Sequence, residues 1–65
     1  NSFKIKSKNK IQQLIIYNII GESVLDVYPQ QKEFWVDVSF LSSNLYTVKV
    51  ITENDQKIEK LLIHH

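Results

Sequence analysis

Few side chains in this sequence carry chemistry of their own, and a catalytic or metal site would have to be built from them. His64 and His65 are the two imidazoles, and both stand at the end of the sequence. Neighbouring residues of a strand point to opposite faces, so this pair is not expected to hold one metal ion together. We interpret the two histidines as a tail or the start of a purification tag, and we predict no metal site and no cofactor.

The carboxylate and hydroxyl groups in the middle of the sequence lack the partners that catalysis requires. Asp37 would act as a general base only beside a group of matched pKa, and no histidine precedes His64. Ser39, Ser42 and Ser43 have no base to activate them, which favours hydrogen bonding in a turn over nucleophilic attack. Cysteine is absent, so disulfides and thiolate chemistry are excluded. The sequence therefore predicts a protein that binds and is not an enzyme.

Length and charge narrow the kind of partner. A chain of 65 residues is sufficient for one small core, and we predict a single domain over residues 1–65. Eight lysines and no arginine stand against seven acidic residues, a near-neutral balance that predicts no nucleic-acid partner. Arginine, the usual bidentate reader of phosphate and guanine, is missing. No apolar run reaches the ~20 residues that a membrane-spanning helix needs.

The elements that must position the polar residues are strands. β-Branched and aromatic residues are abundant, alanine and methionine are absent, and no segment has a sustained helical period. Alternation of apolar and polar residues predicts strands at 3–7, 11–17, 23–28, 34–38, 46–52 and 57–65. Polar connections are predicted at 8–10, 29–33 and 53–56. The predicted fold class is all-β, an antiparallel β-sandwich of six or seven short strands.

Two turns are predicted from their residue types. Asn18 at the first position and Gly21 at the fourth match a type I turn, in which Gly21 is free to take a positive φ. The serine-rich corner after residue 38 ends at Asn44. We expect Asn44 to take a left-handed conformation and to direct Leu45 and Tyr46 toward the core.

Three blocks, in this order, resemble a known family. Ile16–Val24 contains a tyrosine before an Asn-x-x-Gly turn, Val36–Val50 contains Val-Asp-Val-Ser-x-Leu and then a Val-Lys strand, and Lys57–Ile63 is a short basic and apolar strand. The pattern resembles the C-terminal sorting domain of cargo proteins of the type IX secretion system, also called the Por secretion system, over nearly the whole chain. Asn44 stands where that family prefers glycine.

The resemblance implies an immunoglobulin-like sandwich at the end of a longer protein secreted by bacteria of the Bacteroidetes group. Such a domain is a non-catalytic signal. It crosses the periplasm with its N-terminal passenger domain, and the outer-membrane translocon recognises it. A sortase-like peptidase then usually removes it, which leaves the passenger anchored to lipopolysaccharide at the cell surface or released outside the cell. We expect cleavage near or before Asn1, in a chain excised from the end of a longer secreted protein.

The residues that the resemblance assigns to translocon recognition fall into two groups. The corner contributes Asp37, Ser39, Leu41, Asn44 and Tyr46. The last two strands contribute Lys49, Lys57, Lys60, Leu61, Leu62 and Ile63. Asn18 and Gly21 are expected to have a structural role in their turn. Since Leu61, Leu62 and Ile63 are all apolar, the period of the last strand does not decide which face is buried.

Two surface features leave alternatives open. Four lysines near the start of the sequence alternate with apolar residues, so on a continuous strand they would lie on the face opposite Phe3 and Ile5. This basic stripe is either a solvated face that protects a sheet edge or a contact for lipopolysaccharide or the translocon. These lysines are Lys4, Lys6, Lys8 and Lys10. Trp35 has the opposite parity to Phe34, Val36 and Val38, so we expect it outside, as an ordinary exposed aromatic, an interface anchor or a sugar-stacking platform. The alternative function is therefore a cell-surface adhesion or carbohydrate-binding module. Self-association through sheet edges leaves the oligomeric state open.

Overall fold

A computed structural model describes residues 2–65, and it consists of antiparallel strands with no helix in that range. The strands are β1 (Ser2–Tyr17), β2 (Ser23–Val27), β3 (Gln31–Asp37), β4 (Asn44–Thr52) and β5 (Gln56–Ile63). The all-β prediction is confirmed, whereas the prediction of six or seven strands is not, because residues 2–65 form five. Across the described residues there is accordingly no helix that would be long and apolar enough to cross a membrane.

The missing strand is explained by β1, which joins two predicted strands. Residues 8–10 do not end the strand, although they interrupt its pairing: from Lys6 to Ile11 β1 advances five residues while β3 moves only from Glu33 to Gln31. The 16 residues of β1 would measure about 50 Å if straight, but the longest dimension of the molecule is 31 Å. The strand therefore bends where its pairing is interrupted.

The two halves of β1 have different neighbours. Residues 2–6 pair with β3, and the second half lies between β2 and β4, which gives the strand order β2–β1–β4–β5 with β3 attached to β1 alone. A bulge lies at the start of the second half, because Ile11 pairs with Thr52 and Gln13 with Ile51. The extra residue changes the parity of the side chains that face the core.

The core lies between the β1–β3 ladder and the four-stranded part of the sheet. From the ladder side come Val36 and Val38, with 2% and 4% of their surface exposed. From the other side come Leu14 and Ile16, which are fully buried. The remaining buried members of the same cluster are Ile11, Leu41, Tyr46, Val48 and Ile63. As expected, Trp35 points away from this core and is 63% exposed.

The Asn18–Gly21 turn forms as predicted. The Gly21 N–H donates to the Asn18 carbonyl oxygen at 3.0 Å, and Gly21 has a φ of 91°. The Asn18 side chain adds two bonds, because its Oδ1 accepts from the N–H groups of Ile20 and Glu22 at 3.1 and 2.9 Å. This turn closes the β1–β2 hairpin.

The prediction for Asn44 is wrong. Within residues 2–65 Gln30 is the non-glycine residue with a positive φ, at 57°, whereas Asn44 is the first residue of β4 and pairs with Ile63. Leu45 and Tyr46 therefore point to opposite faces, as strand neighbours must. Tyr46 is 5% exposed and lies in the core, while Leu45 is 40% exposed and does not. The chain turns before Asn44, so no left-handed residue is needed there.

Candidate functional site

The described side chains offer surfaces rather than an enclosed centre. In residues 2–65 there is no cluster of three or more acidic or histidine side chains that could hold a metal ion, and no polar or charged residue is buried. His65 folds back onto the corner between β3 and β4. Its backbone N–H donates to Ser43 Oγ at 3.0 Å, and its ring Nε2 is hydrogen-bonded to the Leu41 carbonyl oxygen.

The corner is held by the polar side chains at its start. Asp37 Oδ1 accepts a hydrogen bond from the Ser39 N–H at 3.0 Å. This bond, with a second from the Ser39 side chain, lowers the pKa of Asp37 from its ordinary value of 3.8. The Leu41 N–H donates to the Val38 carbonyl oxygen at 3.0 Å, and the Leu41 side chain is buried. Asp37 and Ser39 thus shape the turn that places Leu41 in the core.

Tyr46 closes the same corner from inside. Its hydroxyl donates to the Ser42 carbonyl oxygen at 2.8 Å and lies 3.2 Å from Ser42 Oγ. The ring is buried among core side chains while the hydroxyl satisfies a loop carbonyl, the arrangement expected of a tyrosine at the end of a strand. Tyr46 therefore fixes the loop that leads into β4.

The register of β4 and β5 separates the predicted recognition residues into two sets. On the core side, Tyr46 pairs with Leu61 and Asn44 with Ile63. Lys57 shares that parity but remains exposed. Lys49, Lys60 and Leu62 lie on the opposite face. The structure therefore does not place all the predicted residues on one surface.

The opposite face of β4 and β5 carries exposed apolar side chains and two amines. We call it the outer patch, and it consists of Leu45, Thr47, Lys49, Ile58, Lys60 and Leu62. Three apolar members are open to solvent, with exposures of 40% for Leu45, 62% for Ile58 and 72% for Leu62. Lys60 Nζ lies 3.4 Å from Thr47 Oγ1. The Thr47–Lys60 row lies between the Leu45–Leu62 pair and Ile58, so apolar and charged side chains are interspersed on this face. Exposed apolar side chains among charged ones are typical of an interaction surface.

The outer patch continues onto β1. Ile15 pairs with Lys49, and Tyr17 with Thr47, so their side chains stand in the same rows. Ile15 is 9% exposed although it lies on the face away from the main core cluster. The patch thus borders a nearly buried side chain on the central strand β1.

A second aromatic feature lies on the β1–β3 ladder. Lys4 pairs with Trp35, and its Nζ is 5.6 Å from the centroid of the indole ring and 3.4 Å from Glu33 Oε1. The predicted basic stripe is exposed on this side of β1, opposite the half-buried Phe3 and Ile5. The predicted parity is confirmed for Trp35 and for Lys4 and Lys6, whereas residues 8–10 are all exposed and show no alternation.

A small antiparallel β-sheet with a mixed apolar and basic strand face has the features of a recognition module. The family model for the secretion system C-terminal sorting domain matches residues 1–64. The chain belongs to this family and is a C-terminal sorting signal for type IX secretion, which confirms the resemblance derived from its sequence. No match was found among curated proteins or solved structures.

Membership of the family defines the setting in which the surfaces of this chain act. Sorting domains of this family are non-catalytic, occur in Bacteroidetes and interact with the type IX secretion machinery. Their cargo is exported to the cell surface or the extracellular space. Recognition by a protein machine, rather than turnover of a small substrate, is therefore the chemistry that the surface has to support.

Two apolar members of the outer patch, and Thr47 between them, were not predicted as recognition residues from the sequence. Leu45 was expected in the core because of the supposed turn at Asn44, and Ile58 was not singled out at all. The signal for Ile58 was present, since it has the same parity as Lys60 and Leu62. Parity alone does not say whether Ile58 faces outward; the register of β5 with β4 does.

Proposed function

We propose that residues 1–65 form a single sorting domain that docks on the type IX outer-membrane translocon through the outer patch. The observation that carries the proposal is the exposed pair of Leu45 and Leu62, which stand opposite each other beside Lys60. Burying Ile58 and Leu62 against a partner would contribute about 1.5–3 kcal/mol each before the costs of association. This is the size of contribution that makes a residue a hot spot.

The two lysines of the outer patch define the charge of the surface that receives it. Lys60 stands between Ile58 and Leu62 on β5, and Lys49 pairs with Ile58 in the next row. Carboxylates at the rim of the receiving surface would accelerate docking and fix its orientation more than they would increase its strength. The proposed receptor surface is thus apolar, with acidic residues placed between and beside its apolar contacts.

The remaining residues of the predicted recognition set have supporting roles in this proposal. Asp37, Ser39 and Leu41 shape the corner, and Tyr46 secures it, so that β4 begins in the correct register. Asn44 pairs with Ile63 at the end of that ladder. On the core side of β5 the supporting residues are Lys57, Leu61 and Ile63.

We also propose that the two-part core belongs to an immunoglobulin-like sandwich at the end of a longer secreted protein. The β1–β3 ladder and the four-stranded part share one core cluster, which supports a two-layer arrangement. The passenger would precede the domain, cross the periplasm with it and reach the cell surface, close to lipopolysaccharide, or the medium. A sortase-like peptidase would cleave near or before Asn1, a position outside the described residues. No catalytic role is proposed for the domain itself.

A carbohydrate-binding module is the second candidate, and Trp35 is the observation that favours it. Its indole is 63% exposed, as a sugar-stacking ring must be. The Lys4 amine 5.6 Å from the ring centroid competes for this aromatic surface. Binding to a glycan array that disappears in Trp35→Ala would support this second function.

The test of the first proposal is export of a fluorescent passenger that carries a periplasmic signal at its front and this domain at its end. The informative variant is Ile58→Thr/Leu62→Thr, which replaces two exposed apolar side chains by a strand-forming polar one. Trp35→Thr is the matched control, because Trp35 and Ile58 are 63% and 62% exposed on different parts of the molecule. The expected result is loss of export for the double variant and normal export for the control.

A further inference from the structure

Two turns of the molecule carry large apolar side chains that the fold does not bury. Ile19 and Ile20 occupy the central positions of the Asn18–Gly21 turn and are 70% and 75% exposed, and Phe40 in the corner after β3 is 59% exposed. Central turn positions ordinarily hold glycine, proline or short polar residues. None of the three belongs to the core cluster or to the side chains packed against it. Neither turn chemistry nor core packing therefore accounts for these residues.

Strand pairing brings the two turns to the same end of the sheet. Tyr17 at the end of β1 pairs with Thr47 near the start of β4, so the turn that follows β1 lies beside the corner that precedes β4. The three exposed apolar side chains line one open depression, and no described residue that lines it is charged. We call Ile19, Ile20 and Phe40 the apolar tips.

Charged residues are gathered at the other end of the β1–β4 ladder. The apolar tips lie within the two longest uncharged runs of the sequence, residues 11–21 and 38–48. At the far end of the ladder, Ile11 pairs with Thr52, beside the bend of β1 and the turn before β5. That bend and that turn carry exposed charged residues, namely Lys8, Lys10, Glu53 and Asp55. Because charged side chains are costly next to hydrocarbon, this distribution suits a protein with one end at a lipid surface and the other in water.

Several backbone N–H groups beside the apolar tips are hydrogen-bonded within the turns. The N–H groups of residues 20–22 all donate to Asn18, two to its side-chain Oδ1 and one to its carbonyl oxygen. In the corner, the Leu41 N–H donates to the Val38 carbonyl oxygen at 3.0 Å. A backbone group without a partner is far more costly in lipid than in water. The internal bonds therefore lower the cost of moving both turns out of water.

We propose that the apolar tips insert into the interfacial region of a lipid membrane while the charged end of the domain stays in water. Isoleucine side chains would enter the boundary between headgroups and acyl chains, and Phe40 would lie at headgroup level, where aromatic rings are favoured. The charged residues nearest to the tips in sequence, Glu22 and Asp37, are acidic. Binding would therefore draw on buried apolar area and not on attraction to anionic lipids.

The setting and the position of the apolar tips make this proposal independent of the outer patch. Cargo of this family is exported to the cell surface or the extracellular space, so a membrane surface lies on the route of the domain. The apolar tips share no residue with the outer patch. Insertion at a membrane would hold the domain by one end and leave the face of β4 and β5 open to a protein.

The first test measures flotation of the 65-residue chain with lipid vesicles. We expect the parent chain to bind phosphatidylcholine vesicles, and to bind no more tightly when anionic phosphatidylglycerol is added. A lack of binding to both kinds of vesicle would overturn the proposal. Binding to the anionic vesicles alone would also overturn it, because the lysines would then supply the attraction.

The second test locates the contact with two matched variants. Ile19→Ser/Ile20→Ser removes two exposed apolar side chains from the tips, and Ile58→Thr/Leu62→Thr removes two from the outer patch. We expect the first variant to lower the partition coefficient into phosphatidylcholine vesicles about tenfold and the second less than about twofold. Circular dichroism checks that both remain folded. Equal losses would show general adsorption of apolar surface and would overturn insertion through the tips.

A fluorescent reporter examines the depth of the tips directly. Trp35 is the one tryptophan of the sequence, so Phe40→Trp/Trp35→Phe moves the reporter to the corner. Emission is expected to shift to shorter wavelength with vesicles and to be quenched by brominated phosphatidylcholine, and unchanged emission would contradict insertion. A concentration-dependent dimer that forms without lipid and dissociates in Ile19→Ser/Ile20→Ser would overturn the proposal and assign the apolar tips to a second copy of this chain.

Discussion

Leu45 and Leu62 face each other across β4 and β5, and both are open to solvent, with exposures of 40% and 72%. Exposed pairs of this kind do not contribute to a core, although their cross-strand contact supports the ladder. Their neighbours Leu61 and Ile63 point the other way and are packed into or against the core. The final strand thus has one face that holds the fold together and one that is available to a partner.

Substitutions in β5 should separate these two faces by their effect on stability. Ile63→Ala removes side-chain atoms from a position with 4% exposure, and it is expected to cost about 2–4 kcal/mol. Leu62→Ala changes an exposed side chain and should alter the free energy of unfolding by less than about 0.5 kcal/mol. Urea denaturation of the two variants measures the difference, and equal losses would contradict the assignment of faces.

The same comparison explains why a terminal deletion is a poor test of recognition. Deleting residues 61–63 should abolish export of a fused passenger, but this loss would not report on recognition alone. The deletion removes Ile63 from the core together with Leu62 from the outer patch. A small domain has only about 3–5 kcal/mol of net stability, so the truncated chain is expected to unfold. Circular dichroism of the truncated chain checks this, and a folded product would contradict the structural role of Ile63.

Tyr46→Phe should weaken the corner without creating a cavity. The variant loses the hydroxyl that donates to the Ser42 carbonyl oxygen at 2.8 Å, and we expect a loss of about 1 kcal/mol in unfolding free energy. Tyr28→Phe is the matched control, because that ring is 64% exposed and its hydroxyl accepts a 3.3 Å bond from Gln13. Chemical denaturation should show little change in the control. An equal loss of stability in both variants would count against a stabilising role of the hydrogen bond from the Tyr46 hydroxyl to the Ser42 carbonyl oxygen.

Gly21→Ala should destabilise the β1–β2 hairpin through its backbone alone. Gly21 has a φ of 91°, and a Cβ added there would meet no atom within 4 Å. The expected cost is about 1 kcal/mol, from strain rather than from a clash. Gly21→Asn should cost less, since asparagine tolerates positive φ better than alanine does. Thermal unfolding of the two variants gives the comparison, and a larger loss for asparagine would argue against strain as the cause.

The corner should also lose stability in acid. The Ser39 backbone N–H, and then its side chain, lower the pKa of Asp37 in the folded state below the ordinary value of 3.8. The ionised form is thus favoured by folding, so its contribution is present above that value and is lost as the pH falls through the folded-state pKa. Stability of the parent chain and of Asp37→Asn should converge over this range. A difference that stays constant down to pH values well below 3.8 would contradict the role of the carboxylate.

The sequence was sufficient for the local features and insufficient for the register. Strand-forming residues, the Asn18–Gly21 turn and the outward direction of Trp35 follow from composition and parity, which are local properties. The polar residues 8–10 indicate an interruption, but whether the chain ends a strand there or bends within one depends on the pairing with β3 and β4. The expected left-handed residue was Asn44, but Gln30 takes that conformation. Gln30 is held there by a 2.9 Å bond from its N–H to the Ile11 carbonyl oxygen, a contact between distant residues.

In the candidate site, too, some residues can be identified from the sequence and others only from the strand pairing. Lys49, Lys60 and Leu62 were identified from family-like blocks of sequence, and they lie together on the outer patch. Ile58 and Leu45 join them only through the pairing of β4 with β5. Which apolar residue of the last strand faces the core is likewise a property of the ladder, because three consecutive apolar side chains carry no period.

The measurement that tests the central claim most directly is export of the fluorescent passenger fused to Ile58→Thr/Leu62→Thr, compared with the parent domain and Trp35→Thr in a type IX-competent strain. A translocon-deficient strain gives the background, and the fold of each domain is checked by circular dichroism. We predict that the folded double variant stays in the periplasm while the parent and Trp35→Thr reach the surface or medium. Normal export of the double variant would contradict docking through the outer patch.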